Sequence, residues 1–197
     1  MKLTRRRFFA FLAGLPLMGL LSSGVSFRKP KKILEPTPAC DDHDEPTPPQ
    51  TEGPYFTPNS PERNNLREKG LKGTVLVLTG QVLNTNCKPV SHALLDWWHC
   101  DDAGNYDNAG FTLRGHHFTD KQGNFRLETI VPGLYPGRTR HLHVKVQAPG
   151  KQILTTQLYF PDEPSNKRDG IFKPVLVMDV KQAANQLQAG YTFVLKA

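Results

Sequence analysis

This sequence predicts an all-β fold: a β-sandwich of short antiparallel strands with an extended Pro-rich N-terminal arm. Three observations carry that prediction. From about Lys72 onward, short runs of β-formers alternate with turns of Gly, Asn, Asp and Pro at sandwich-like spacing. A helix fits only over Lys181–Leu187. Prolines crowd the stretch from Pro30 to Pro61, which excludes helix and central strand there.

Taken in order, residues 1–27 read as an export signal. Lys2, Arg5, Arg6 and Arg7 form a charged start, and Phe8–Leu21 is an apolar run too short to span a bilayer comfortably. Thr4-Arg5-Arg6-Arg7-Phe8-Phe9 fits the twin-arginine pattern, which places the protein in the periplasm or outside the cell. No clean A-x-A site marks its end, so a removed signal and a retained anchor both fit. With the signal gone, no stable membrane insertion is expected. Residues 28–50 read as a Pro-rich linker or arm, and 51–197 as a single domain. Within the proline-crowded stretch that runs on to Pro61, Gly53-Pro54-Tyr55-Phe56 joins a fixed turn to two aromatic rings, so it is expected to pack on the domain.

The expected strands are Thr74–Leu83, Ala93–Cys100, Phe111–Thr119, Asn124–Ile130, Arg140–Gln147, Gln152–Phe160, Phe172–Val180 and Tyr191–Leu195. Turn residues at Asn84–Pro89, Asp101–Gly104, Asp120–Gly123 and Ala148–Lys151 separate several of them, and the last joins the Arg140 and Gln152 runs as neighbours.

Charge and cysteine content exclude some functions. Lys2, Arg5, Arg6 and Arg7 account for four of the formal +7, so the remainder carries +3. The remaining basic residues are scattered without interleaved aromatics, so no nucleic-acid partner is expected. Cys40, Cys87 and Cys100 allow one disulfide and leave one thiol over. No C-x-x-C pair supports a zinc–thiolate site.

Chemistry concentrates in Arg138–Val146, RTRHLHVKV. Alternate side chains of a strand share a face, so His141 and His143 present two imidazoles together, a donor pair suited to iron, copper or zinc. Pro132–Gly137, PGLYPG, sets Tyr135 on a tight turn six residues before His141. Tyr106 follows a strand and an Asp/Gly turn, a place from which a loop can direct a side chain into a cleft. Two phenols with two imidazoles favour a high-charge ion such as ferric iron. A ferrous triad would need a carboxylate, and only Asp96 and Glu128 offer themselves as substitutes.

At these residues the chain resembles the intradiol ring-cleavage dioxygenases. The resemblance runs from about Thr51 to Phe160. It rests on TEGPY, NCKPV through DWWHCDDAGNY, GNFRLETIVPGLYPG, RHLHVKV and LTTQLYF. It implies one non-haem Fe(III) per chain held by Tyr106, Tyr135, His141 and His143. Arg138 and Gln157 would match the family's active-site arginine and glutamine, and Gly53, Pro54 and Tyr55 its substrate-lining stretch. The implied reaction cleaves a catechol with O2 between its hydroxyl-bearing carbons, giving a muconate-type diacid without reductant or organic cofactor. Tyr135 would leave the metal as the base, and Arg138 would stabilise developing charge. A homo-oligomer is also implied. The Tyr135–Arg138 segment is shorter than in protocatechuate enzymes, and no helical region precedes Thr74, so the chain fits an exported, single-domain branch.

Two competing readings differ in kind. One is a non-catalytic, transthyretin-like binding module, which would not need this donor set. The other is a copper or zinc protein that joins His141 and His143 to His116 or His117.

Overall fold

Strands form where the β-forming runs lie between turn residues. In the computed structural model, which describes residues 45–196, they are β1 (Val75–Asn84), β2 (Leu94–Trp98), β3 (Arg114–Phe118), β4 (Asn124–Ile130), β5 (His141–Gln147), β6 (Leu154–Tyr159), β7 (Asp179–Ala183) and β8 (Gln186–Leu195). The export-type segment, the first part of the Pro-rich stretch and Cys40 lie outside the described residues. Among the described residues no helix is long and apolar enough to cross a membrane.

The strands make two four-stranded sheets, ordered β4-β1-β8-β7 and β3-β2-β5-β6. Their inner faces bury Leu76, Leu78, Leu127 and Phe193 against Leu95, Trp97, Leu142, Val144 and Leu158. Each such fully buried side chain contributes roughly 1.5–3 kcal/mol. The architecture is the expected β-sandwich. It departs from the all-antiparallel expectation at one pair, because β1 and β8 run parallel from Val75↔Gln186 to Asn84↔Leu195. A parallel neighbour requires a long connection, and here nearly the whole domain lies between the two strands.

Several elements differ from the sequence reading, three of them for a clear local reason. The helix expected over Lys181–Leu187 is instead a hairpin, in which Ala183 pairs with Gln186 around Ala184-Asn185. Lys, Gln, Ala and Leu are good helix formers, but so short a helix would not overcome its nucleation cost, whereas the hairpin gains a ladder along β8. The strand expected over Phe172–Val180 begins only at Asp179, because Pro174 opens a 3-10 turn, Pro174–Leu176. The run Phe111–Thr119 becomes strand only at Arg114. Before it, the Asp107 carboxylate accepts the N–H groups of Ala109, Gly110 and Thr112 and winds the chain into a loop.

The Pro-rich arm runs from β8 of the first sheet across the outer face of the second sheet to β4. Thr47 N–H donates to the Val194 carbonyl and Gln50 N–H to that of Thr155, so the arm is already docked before Thr51. Farther on, Glu62 bridges to His116 at the β3 edge and Asn65 to Glu128 at the β4 edge. Prolines suit this path because an extended strap makes only intermittent backbone hydrogen bonds. Of the cysteines, Cys87 is disulfide-bonded and Cys100 is the free, buried thiol.

Candidate active site

The pairing register decides which side chains share the covered outer face. His141 lies opposite Tyr159, and His143 lies opposite both Gln157 and Trp98. Trp98 in turn faces Arg114. These residues therefore share one face, while Leu142, Val144 and Trp97 point into the core. His141 and His143 are 4% and 3% exposed.

Their ring nitrogens converge. Nε2 of His141 and Nε2 of His143 are 3.1 Å apart. His141 Nδ1 is 2.6 Å from the Thr139 carbonyl, which can only accept. Nδ1 therefore carries the proton and Nε2 offers a lone pair towards His143. Burial lowers the His141 pKa to about 4 and that of His143 well below the usual range. Both rings are thus neutral imidazoles near pH 7, the form that binds metals. The His143 ring stacks on Trp98 at 4.8 Å and 10°, which fixes its plane.

The two phenols arrive on interlocked loops. Asp101 Oδ1 accepts the N–H groups of Ala103 and Asn105, shaping the turn that ends at Tyr106. Gly104, at φ +89°, lets the Leu134 carbonyl approach so closely that any Cβ would collide with it. Tyr135 opens a turn closed by Arg138 N–H to the Tyr135 carbonyl at 3.0 Å, with Gly137 at φ +79°. The Tyr106 and Tyr135 ring centroids are 5.9 Å apart, and Tyr106 is 6.3 Å from His143. Burial pushes the Tyr106 phenol up, so a neighbouring cation is what would ionise it.

The arm closes the site. Tyr55 stacks on Tyr106 at 4.4 Å and its hydroxyl is 2.9 Å from that of Tyr135. Gly53 packs beside His143, whereas Pro54 is exposed on the turn. Arg114 fixes both approaches: Nη1 donates to the Tyr55 carbonyl, while Nε and Nη2 donate to that of Asp107. Glu52 pairs with Lys145 at 2.5 Å, and the same ammonium sits 3.5 Å from the Phe56 ring centroid.

Arg138 and Gln157 meet directly, Nη2 donating to Oε1 at 2.7 Å. Gln157 also accepts from the Tyr159 hydroxyl and donates to the Thr51 carbonyl. Asp169, which sequence reasoning missed, accepts from Arg138 Nε and Thr139 N–H. Burial raises its carboxyl, but the Thr139 and Ile171 N–H groups and Arg138 outweigh that and hold it below the usual range. Nothing in the local stretch Ser165–Gly170 marks it. Arg114, Trp98 and Thr139 were also missed, because only the register places them here.

Other sequence candidates lie elsewhere. His117 points into the core beside Phe125, on the opposite sheet face from His143. His116 is level with Asp96 and bonds to Ser60. Asp96 is level with Lys145 rather than His143, and Glu128 belongs to the other sheet. Among the described residues no group of three or more His, Cys, Asp and Glu is placed to hold a metal. The phenols of Tyr106 and Tyr135 are the side-chain oxygens that could join His141 and His143 as protein ligands to an ion there. Two neutral imidazoles and two phenols fit a ferric ion in donor chemistry.

A protein-family profile described as "Dioxygenase" matches residues 51–197. The dioxygenase domain of a dioxygenase–carbohydrate-binding protein fusion from Streptomyces sp. SirexAA-E is 52% identical. Its TM-score is 0.76 over 78% of this chain and 99% of that one. The 3-chlorocatechol 1,2-dioxygenase of Rhodococcus opacus 1CP superposes with TM-score 0.70 at 28% identity, over 76% of this chain and 72% of that one. Catechol 1,2-dioxygenase of Candida albicans is 30% identical over 61% of this chain and 49% of that protein. The chain thus spans only about half the length of this curated relative. Sandwich, site and profile together define a member of the dioxygenases, an oxidoreductase class. More narrowly, the chain belongs to the intradiol ring-cleavage dioxygenase family.

Proposed function

We propose that this protein is a ferric, non-haem dioxygenase that cleaves a catechol with O2 between its two hydroxyl-bearing carbons, giving a muconate-type diacid. The observation that carries this reading is the convergence of His141 and His143 Nε2 at 3.1 Å, with the Tyr106 ring 6.3 Å from His143 and the Tyr135 ring 5.9 Å from Tyr106. Tyr106, Tyr135, His141 and His143 would hold one Fe(III), which when bound supplies Lewis acidity to the substrate's oxygens and a tyrosinate charge-transfer colour.

The chain's own residues do the rest. Tyr135, on its short turn, would be a phenolate while it ligates the ferric ion, and on leaving it would take the proton of a catechol hydroxyl at its phenolic oxygen, which lies 2.9 Å from the Tyr55 hydroxyl. Arg138 directs positive charge at the ring as negative charge develops there. The arm covers the site, with Gly53 beside the His143 ring, Tyr55 on Tyr106 and Phe56 on Trp98. Both atoms of O2 enter the product, so no reductant is needed.

The purified, iron-loaded protein should be burgundy to red-brown and should consume one O2 per catechol while releasing the ring-opened diacid. A colourless protein with one equivalent of iron, or a product that keeps both ring hydroxyls, overturns the reading. The colour also separates it from a binding module.

Residues 1–27 support export by the twin-arginine route as the protein's localisation. Replacing Arg5, Arg6 and Arg7 by Lys keeps the charge but removes the guanidinium pair, so it should stop periplasmic appearance of folded protein. Undiminished export by that route would exclude this assignment.

A further inference from the structure

Arg138 is held by groups placed outside the proposed ligand set. Its Nε donates to Asp169 Oδ2 at 2.9 Å and its Nη2 to Gln157 Oε1 at 2.7 Å. Asp169 is itself fixed at three points, because Oδ2 also accepts Thr139 N–H at 2.9 Å and Oδ1 accepts Ile171 N–H at 3.1 Å. The path continues into the arm. The Ile171 carbonyl accepts from Gln50 Nε2 at 2.6 Å, and Gln157 Nε2 donates to the Thr51 carbonyl at 2.9 Å. Gln50, Ile171, Asp169, Arg138, Gln157 and Thr51 therefore form a hydrogen-bonded circuit that leaves the arm at one residue and returns at the next.

We propose that Asp169 is a positioning residue of this active site: it fixes the Arg138 guanidinium towards the substrate and joins that orientation to the docked N-terminal arm. The inference rests on the proposed ring-cleavage reaction. An arginine side chain has several rotatable bonds, and a single partner at Gln157 would leave it free to swing. Two donors held on two acceptors define the plane of the fork. The Asp169 side chain is 3% exposed and that of Arg138 20%, so solvent screens the pair little. Nη1 is the nitrogen engaged by neither Asp169 nor Gln157. Arg138 and Asp169 also share the lining of a cavity of about 420 Å³ with Leu134, Tyr135, Ser165 and Arg168.

A purely structural role for Asp169, capping the Ile171 turn, makes a different prediction. The deciding experiment is a double-mutant cycle on the iron-loaded full chain, with Asp169→Asn, Arg138→Ala and the pair. It reads kcat and KM for catechol, bound iron and melting temperature. Asp169→Asn should lower kcat by about tenfold or more, since misaiming a charge-stabilising donor forfeits part of its ~10²–10³ effect. KM should stay within about threefold and iron near one per chain, because the charge develops in the transition state. In the Arg138→Ala background the same substitution should cost nothing further.

An unchanged kcat in Asp169→Asn, or an equal loss in both backgrounds, overturns the proposal. Should Asp169→Asn not fold, Arg138→Lys decides: it keeps the charge but cannot engage both Asp169 and Gln157 as a fork. Near-wild-type turnover in that variant overturns the proposal, and loss close to that of Arg138→Ala supports it. Failure of the underlying reading looks different, because then the wild-type chain itself turns over no catechol.

Discussion

Arg138 and His143 lie five residues apart, yet substitutions at the two should separate binding from chemistry. The imidazoles are buried, neutral and convergent, so they act as donors. Arg138 carries no lone pair and is held by Asp169 and Gln157. Arg138→Ala should therefore lower kcat by ~10²–10³ while iron stays near one per chain. His141→Ala or His143→Ala should lose iron and activity together. Metal analysis beside steady-state kinetics checks this, and equal loss of iron from all three variants would contradict the division of roles.

Among the elements, the β7–β8 hairpin and the arm contrast in how they are specified. The hairpin turns on Ala184 at φ +48°, a left-handed conformation that costs a residue with a Cβ roughly 1–2 kcal/mol. Ala184→Gly removes that cost and returns part of it as unfolded-state entropy. It should raise stability by roughly 0.5–1 kcal/mol, seen as a higher urea midpoint at unchanged m. A helix over the same residues would be destabilised by that change, so the sign alone distinguishes the two structures. The arm is specified differently, by side chains reaching it from several strands: Arg114 from β3, Lys145 from β5 and Gln157 from β6.

For the molecule as a whole, buried histidines tie stability to pH. His99 and His117 are buried, which lowers each pKa to about 4. In the unfolded chain they titrate near the ordinary value of about 6.5. Between those values the unfolded state binds more protons, so this stabilisation is full above about pH 6.5 and is lost progressively towards pH 4. Among the described residues His117 also has no hydrogen-bond partner for either ring nitrogen. His117→Leu should therefore flatten the pH dependence in that window and raise stability at pH 5 by roughly 1–3 kcal/mol. Denaturant unfolding at pH 5 and pH 7 checks this, and equal slopes in both proteins would refute it.

What the sequence determined by itself was local or periodic. Alternation and turn residues placed most of the strands, the H-x-H spacing put His141 and His143 on one face, and PGLYPG set Tyr135 on its turn. Those signals are short-range, so they can be read without the fold. Other features were decided only by tertiary structure. The parallel β1–β8 pair joins segments more than a hundred residues apart, and the hairpin at Ala184 exists because β8 offers a ladder. Asp169 reaches Arg138 from a loop 31 residues away, and Arg114 reaches Tyr55 from 59 residues away. Neither leaves a local pattern, because a side chain's partner across such distances is set by sheet register and by the path of the arm. The physical reason is the same throughout: backbone preference acts within a few residues, whereas burial and charge pairing act between whatever surfaces the folded chain brings together.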